Sequence, residues 1–189
     1  MSVTSRAARS KPHGTPTQTP RLPDVDQFPR TLPDADQESV WDYPRPPRVE
    51  PTSEHVVVCH RGAMLADTRS ALRVLETSHP PNYYLPPDEV DLTLLVESPR
   101  KTWCEWKGEA TYFDVSFDGV TVPAAAWAYR APTSRFAAIR DHITFYPQLV
   151  QECRVDGELV SAVQGSFYGG WVTSRVAGPF KGGPGTTGW

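Results

Sequence analysis

The chain has 189 residues, 39% of them hydrophobic, with a formal net charge of −3. That length and apolar content fit one soluble domain with appendages. The weak acidity offers no basic face for nucleic acid, and no apolar run approaches the roughly 20 residues that span a bilayer, so neither nucleic acid nor membrane is expected as a partner.

Residues 1–47 read as a disordered, proline-rich arm. Ten of the twenty prolines fall between Pro12 and Pro51, and the scattered strong apolar residues bury too little surface to offset ordering entropy. The stretch Leu22-Pro23-Asp24-Val25-Asp26-Gln27 returns as Leu32-Pro33-Asp34-Ala35-Asp36-Gln37, either a docking motif or an acidic linker. Trp41 and Tyr43 mark the point where the arm is expected to begin docking. The first residues lack an apolar core of the secretory type, so no signal peptide is expected. The three widely spaced cysteines, Cys59, Cys104 and Cys153, fit a reduced, cytoplasmic setting.

Residues 48–160 read as the folded core, and its patterns are those of strands. The β-branched run from His55 to Cys59 ends at Gly62, which turns the chain. Ala71 to Glu76 is ambiguous between strand and helix. Pro86 to Asp91 has the proline and early acidic residues of a single helical turn. Glu109 to Phe117 is the clearest strand: Thr111, Phe113, Val115 and Phe117 share a core face, and Ala110, Tyr112, Asp114 and Ser116 an outer one. Asp118-Gly119 and Asp156-Gly157 signal hairpin turns. Trp127 and Tyr129 share one strand face, and His142 to Tyr146 reads as another strand. Short strands without a long amphipathic helix predict a mainly antiparallel β domain. Residues 161–189 hold most of a glycine-rich tail whose aromatics, among them Phe167, Tyr168, Trp171 and Phe180, predict a strap packed on the core, with Trp171 to Ser174 adding a strand.

The chemistry concentrates in Thr102-Trp103-Cys104-Glu105-Trp106-Lys107-Gly108-Glu109-Ala110-Thr111-Tyr112. Cys104 is the candidate catalytic nucleophile or redox centre, since a nearby cation such as Lys107 favours its thiolate. On a regular strand residues 104 and 107 face opposite sides, so they meet only if Gly108 or a bulge bends the chain. Lys107 is a candidate anchor for a phosphate or carboxylate. Tyr112, Tyr84, Trp127 and Tyr129 are candidate cleft-lining groups, because flat aromatics hold planar or apolar ligands, and Tyr146 joins them. Lys181 is a weaker candidate to close over an anion. His142 is a possible base for Cys104, while His55, His60 and His79 read as surface or strand positions.

Several of these stretches together resemble the domain of unknown function 427 family, sometimes labelled nucleotidyltransferase-like. They are Ala71 to Thr77, Pro80 to Pro86 with Asp88-Glu89-Val90, Thr102-x-Cys104-x-Trp106-Lys107-Gly108-Glu109-Ala110-x-Tyr112, Ala126 to Tyr129, and Phe145-Tyr146-Pro147. The resemblance implies a β-tent-like fold, two small antiparallel sheets leaning together with one or two short helices, and no known chemistry. Zinc-bearing relatives of that fold use Cys-x-x-Cys knuckles, which are missing here, so no metal is expected. The Asp-x-Asp pairs that metal-dependent nucleotidyl transfer would need, Asp24/Asp26 and Asp34/Asp36, lie in the arm. No phosphate-loop or dinucleotide fingerprint occurs, so no cofactor is expected. The expectation is a small ligand bound between sheets. An enzyme built on Cys104 and a protein-interaction module using arm and strap are the alternatives.

Overall fold

A computed structural model describes residues 30–186 and 189. The first copy of the acidic repeat and the pair Asp24/Asp26 therefore lie outside the described residues. Among the described residues fifteen strands form in chain order. The first six are β1 (Glu38–Ser39), β2 (Arg48–Pro51), β3 (Val56–His60), β4 (Ala63–Thr68), β5 (Leu72–Leu75) and β6 (Asn82–Tyr84). Three longer ones follow, β7 (Leu95–Cys104), β8 (Gly108–Phe117) and β9 (Val120–Ala128). The last six are β10 (Thr144–Phe145), β11 (Glu152–Val155), β12 (Glu158–Leu159), β13 (Ser161–Ala162), β14 (Trp171–Val172) and β15 (Val176–Ala177).

The protein is mainly β, built from several small antiparallel sheets. Two four-stranded sheets, β10-β9-β8-β7 and β12-β11-β3-β4, accompany a three-stranded sheet, β2-β5-β6. Two strand pairs, β13-β14 and the parallel β1-β15, involve the tail. The ambiguous stretch 71–76 is strand β5. The short helices among the described residues are 3-10 turns, at Val40–Asp42, Pro87–Glu89, Leu92–Leu94 and Ser134–Ile139, the second of them the single turn expected there. Proline at the start of the second sets φ for a turn, but extended Val90 ends it before an α-helix can propagate. No helix among the described residues is long and apolar enough to cross a membrane.

The hairpin signals are used as turns. Asp118 and Gly119 have φ of 50° and 70°, and Asp156 and Gly157 have 49° and 84°. Both residues of each turn are left-handed, the arrangement whose twist matches flanking strands. Asparagine, aspartate and glycine tolerate it best, which is why Asp-Gly stands at each.

Two apolar clusters cover opposite faces of the β10-β9-β8-β7 sheet. Phe113 and Val115 of β8 meet Val56, Val58, Leu65 and Val155 from the other four-stranded sheet. Ala110 and Tyr112 of the same strand meet Val74 and Tyr84 from the three-stranded sheet, along with Phe136 and Ile139. The outer face expected for Ala110 and Tyr112 is thus buried, with Tyr112 only 4% exposed. Strand alternation is right, but a second layer covers the side taken for solvent. Asp114, lower on that face, accepts a hydrogen bond from the Ala124 N–H at 2.7 Å beside a break in β8–β9 register.

Residues 38–47, assigned to the arm on composition, contribute buried Val40, Trp41 and Tyr43, which cluster with Leu75 and Val176. Arg73 joins this segment to the core by bonding both Glu38 and Glu50. Burial acts against the Glu38 charge, but the Arg73 guanidinium and the Tyr43 hydroxyl hold its carboxyl below the ordinary range. In the tail, Trp171 is fully buried in the larger cluster. Its indole donates to the Phe145 carbonyl at 3.0 Å, and its ring lies 5.1 Å from Tyr83. Trp171→Ala should therefore cost about 3–5 kcal/mol of stability in urea unfolding. A loss below ~1 kcal/mol would mean the core closes without this tail residue.

Candidate functional site

Strands β7 and β8 are joined by a tight connection at residues 105–107. Cys104 and Gly108 are paired in register, and Gly108 takes φ 96°, a conformation that a side chain at this position would strain. The connection is held from outside by Thr133, whose hydroxyl donates to the Trp106 carbonyl at 2.7 Å and whose N–H donates to the Lys107 carbonyl at 3.2 Å. The bend breaks strand alternation, so Cys104 and Lys107 border the same hollow rather than opposite sides.

That hollow is a cavity of about 380 Å³, near the lower end of the ~300–1,000 Å³ typical of small-molecule sites. Cys104, Lys107, Tyr112, Tyr84, Trp127 and Tyr129 all line it, and Tyr146 does too. Its aromatic wall comes from pairing: Tyr112 on β8 stands opposite Trp127 on β9, with ring centroids 6.5 Å apart. Trp127 packs 4.4 Å from Tyr146, and Tyr84 lies 6.3 Å from Tyr129. Tyr112 shares a 3.0 Å hydrogen bond with Thr102, and the Arg100 guanidinium lies 4.4 Å from its ring centroid. Burial pushes the Tyr84, Tyr129 and Tyr146 phenols well above their ordinary values, Tyr129 further through Tyr84, Cys104 and Tyr112 beside it. These three phenols stay protonated at neutral pH, and the wall carries no phenolate from them.

The tail supplies another side. Phe167, Tyr168, Gly169 and Lys181 border the cavity, and the Tyr146 hydroxyl donates to the Phe167 carbonyl at 3.2 Å. A Cβ on Gly169 would lie 2.4 Å from the Trp127 ring, so only glycine lets the tail lie this close to the wall. Lys181 donates to the Trp189 backbone oxygen and has the Tyr168 ring at 5.8 Å. Arg45, from the segment before β2, pairs with Glu105 at 3.4 Å at the edge. The remaining cation, Lys107, is only 8% exposed. Its ammonium lies 5.9 and 5.8 Å from the Tyr129 and Phe136 ring centroids and has no hydrogen bond or ion pair to a described residue.

His79, which the sequence reading set aside as a surface or strand position, lines the cavity and is 9% exposed. It follows β5 on a turn whose chemistry resembled an ordinary loop, so nothing in its spacing marked it. Its Nδ1 lies 2.9 Å from the Thr77 carbonyl, which can only accept, so Nδ1 carries the proton. The other nitrogen, Nε2, is then an acceptor when the ring is neutral. Burial lowers the imidazole pKa from its ordinary 6.5, and the Lys181 and Lys107 charges add to this; Glu76 and the Thr77 bond oppose them. His142, weighed as a base for Cys104, bonds the Arg140 carbonyl and does not border the cavity. Asn82 and Trp106 are further cavity residues that the sequence did not single out as ligands. Their Oδ1 and Nε1 atoms are buried and without hydrogen-bond partners among the described residues.

A second hollow of about 410 Å³ lies under the tail, between Val163, Phe180 and Trp189, with no charged lining residue. It gathers no chemistry comparable to the first. Among the described residues no group of three or more His, Cys, Asp or Glu side chains comes together.

The depressed His79 pKa has a defined sign in folding. Below pH 6.5 the unfolded chain takes up a proton that the folded ring resists. The His79 contribution is therefore complete above pH 6.5, declines as pH falls toward the folded value, and is level beneath it. Urea unfolding at pH 7 and pH 5 should show wild type losing more stability than His79→Gln; equal losses would show an unshifted imidazole.

No curated protein matches the chain. A family model described as a domain of unknown function, DUF427, matches residues 48–156, from the start of β2 to the β11–β12 turn. The match includes the β7–β8 connection and most of the aromatic wall, while the tail side of the cavity lies beyond it. By that match over more than half its length, the chain belongs to the DUF427 family.

Proposed function

We propose that the protein binds a small ligand in the aromatic cavity beside Lys107. The observation that carries this reading is the Lys107 ammonium itself. Burying a cation without a counter-ion is costly, and ring faces compensate only in part. A ligand anion at this point would complete its electrostatics, with Tyr84, Trp127 and Tyr129 supplying flat apolar contact. A thermal-shift screen of nucleotides, sugar phosphates and organic acids tests the reading. A binder should stabilise wild type in proportion to its concentration over Kd, and the shift should vanish in Lys107→Met and shrink in Tyr112→Phe. A full screen without any stabilising compound would count against the proposal.

One observation favours a second reading, in which Cys104 reacts. Of the three free thiols it alone borders the cavity, together with Lys107 and the buried imidazole of His79. Burial raises the Cys59 and Cys153 thiols, Cys153 the more strongly, which makes both sluggish. Iodoacetamide should then label Cys104 at least about tenfold faster than Cys59 at pH 7.5. Equal rates would remove the nucleophile.

A further inference from the structure

The polar groups around the cavity divide into those already satisfied by the protein and those that are not. Tyr112 is bonded to Thr102, Tyr146 to Phe167, Arg45 to Glu105, and Lys181 to Trp189. Lys107 Nζ and Trp106 Nε1 are among the donors that remain, the second buried and without a partner among the described residues. Asn82 Oδ1, buried and without a partner among the described residues, His79 Nε2 and the Glu76 carboxylate, which borders the cavity without an ion pair to a described residue, remain as acceptors. The unmet requirement is therefore two-sided: an anion for the donors and an N–H or O–H for the acceptors.

The positive charge is limited to one. Arg45 and Lys181 are engaged elsewhere, so Lys107 is the cation left for a ligand, supported by a neutral indole N–H. Phosphate recognition draws on several charge-assisted donors or backbone nests, and this wall offers neither. A carboxylate with two oxygens matches one ammonium and one indole N–H. The aromatic wall and the volume of about 380 Å³ favour a compact planar body.

Resting on the ligand-binding reading above, we infer that the ligand class is a planar monocarboxylate bearing a hydroxyl or amine. Its carboxylate meets Lys107 and Trp106, its flat body lies against the aromatic wall, and its donor group meets Asn82 or His79.

Calorimetric titration of the full chain with 4-hydroxybenzoate, benzoate, phenol and inorganic phosphate tests this class. The expected order is 4-hydroxybenzoate tighter than benzoate, benzoate tighter than phenol, and no binding of phosphate. Lys107→Met should weaken 4-hydroxybenzoate by at least about tenfold while leaving phenol nearly unchanged. Trp106→Phe, which keeps a ring and removes the N–H, should weaken both carboxylates and guards against misfolding of the lysine variant; circular dichroism checks both folds. Phenol binding as well as 4-hydroxybenzoate, or carboxylate binding indifferent to Lys107→Met and Trp106→Phe, would overturn the inference. Phosphate binding that depends on Lys107 would overturn the carboxylate class and leave the ligand cavity standing. The same holds if all four probes fail while the thermal-shift screen yields a Lys107-dependent binder. If that screen is also empty, the cavity reading falls with it.

Discussion

Strand β8 has no solvent face through its middle, and the architecture depends on that. Phe113 and Val115 fill the space toward β3, β4 and β11, while Ala110 and Tyr112 fill the space toward β5 and β6. Each large apolar side chain buried this way contributes roughly 1.5–3 kcal/mol, and both layers draw on the same strand. The central sheet is consequently a shared wall. One side is a closed core; the other is a core whose packing stops short at the β7–β8 connection and leaves a cavity there.

The cavity exists because its walls are rigid and of different origin. Tyr112 and Trp127 are fixed by cross-strand register, Tyr84 by β6, and Lys107 by a bend clamped through Thr133. The tail reaches the hollow because Gly169 carries no side chain against Trp127, and Trp171 anchors it immediately afterwards. Large rings meeting at fixed angles do not fill space as aliphatic side chains do. The residual volume is polar at its edge, where Arg45 and Glu105 are paired, while Lys107, Asn82 and Trp106 keep polar atoms without partners among the described residues.

Much of the fold was legible along the chain. Alternation located β8, the Asp-Gly pairs located two hairpins, and a β-branched run located β3. The candidate residues Cys104, Lys107, Tyr112, Tyr84, Trp127 and Tyr129 come together around one cavity, although they span 45 positions from Tyr84 to Tyr129. One signal misled. Tyr112 sits among small and polar neighbours on its strand face, which imitates a solvated surface. Val40, Trp41 and Tyr43, where the arm was expected to begin docking, are buried.

Local sequence determined where the chain extends and where it reverses, because strand alternation and left-handed turns are decided by neighbours within a few residues. It also determined which chemical groups are available near residue 104. Only the tertiary structure decided that a second layer covers the outer face of β8. It alone drew His79, Asn82 and the tail to the same hollow, and left Lys107 without an anion among the described residues. Those outcomes turn on packing between segments distant in sequence, where burial and electrostatics depend on what lies across the gap, and no short-range pattern encodes that.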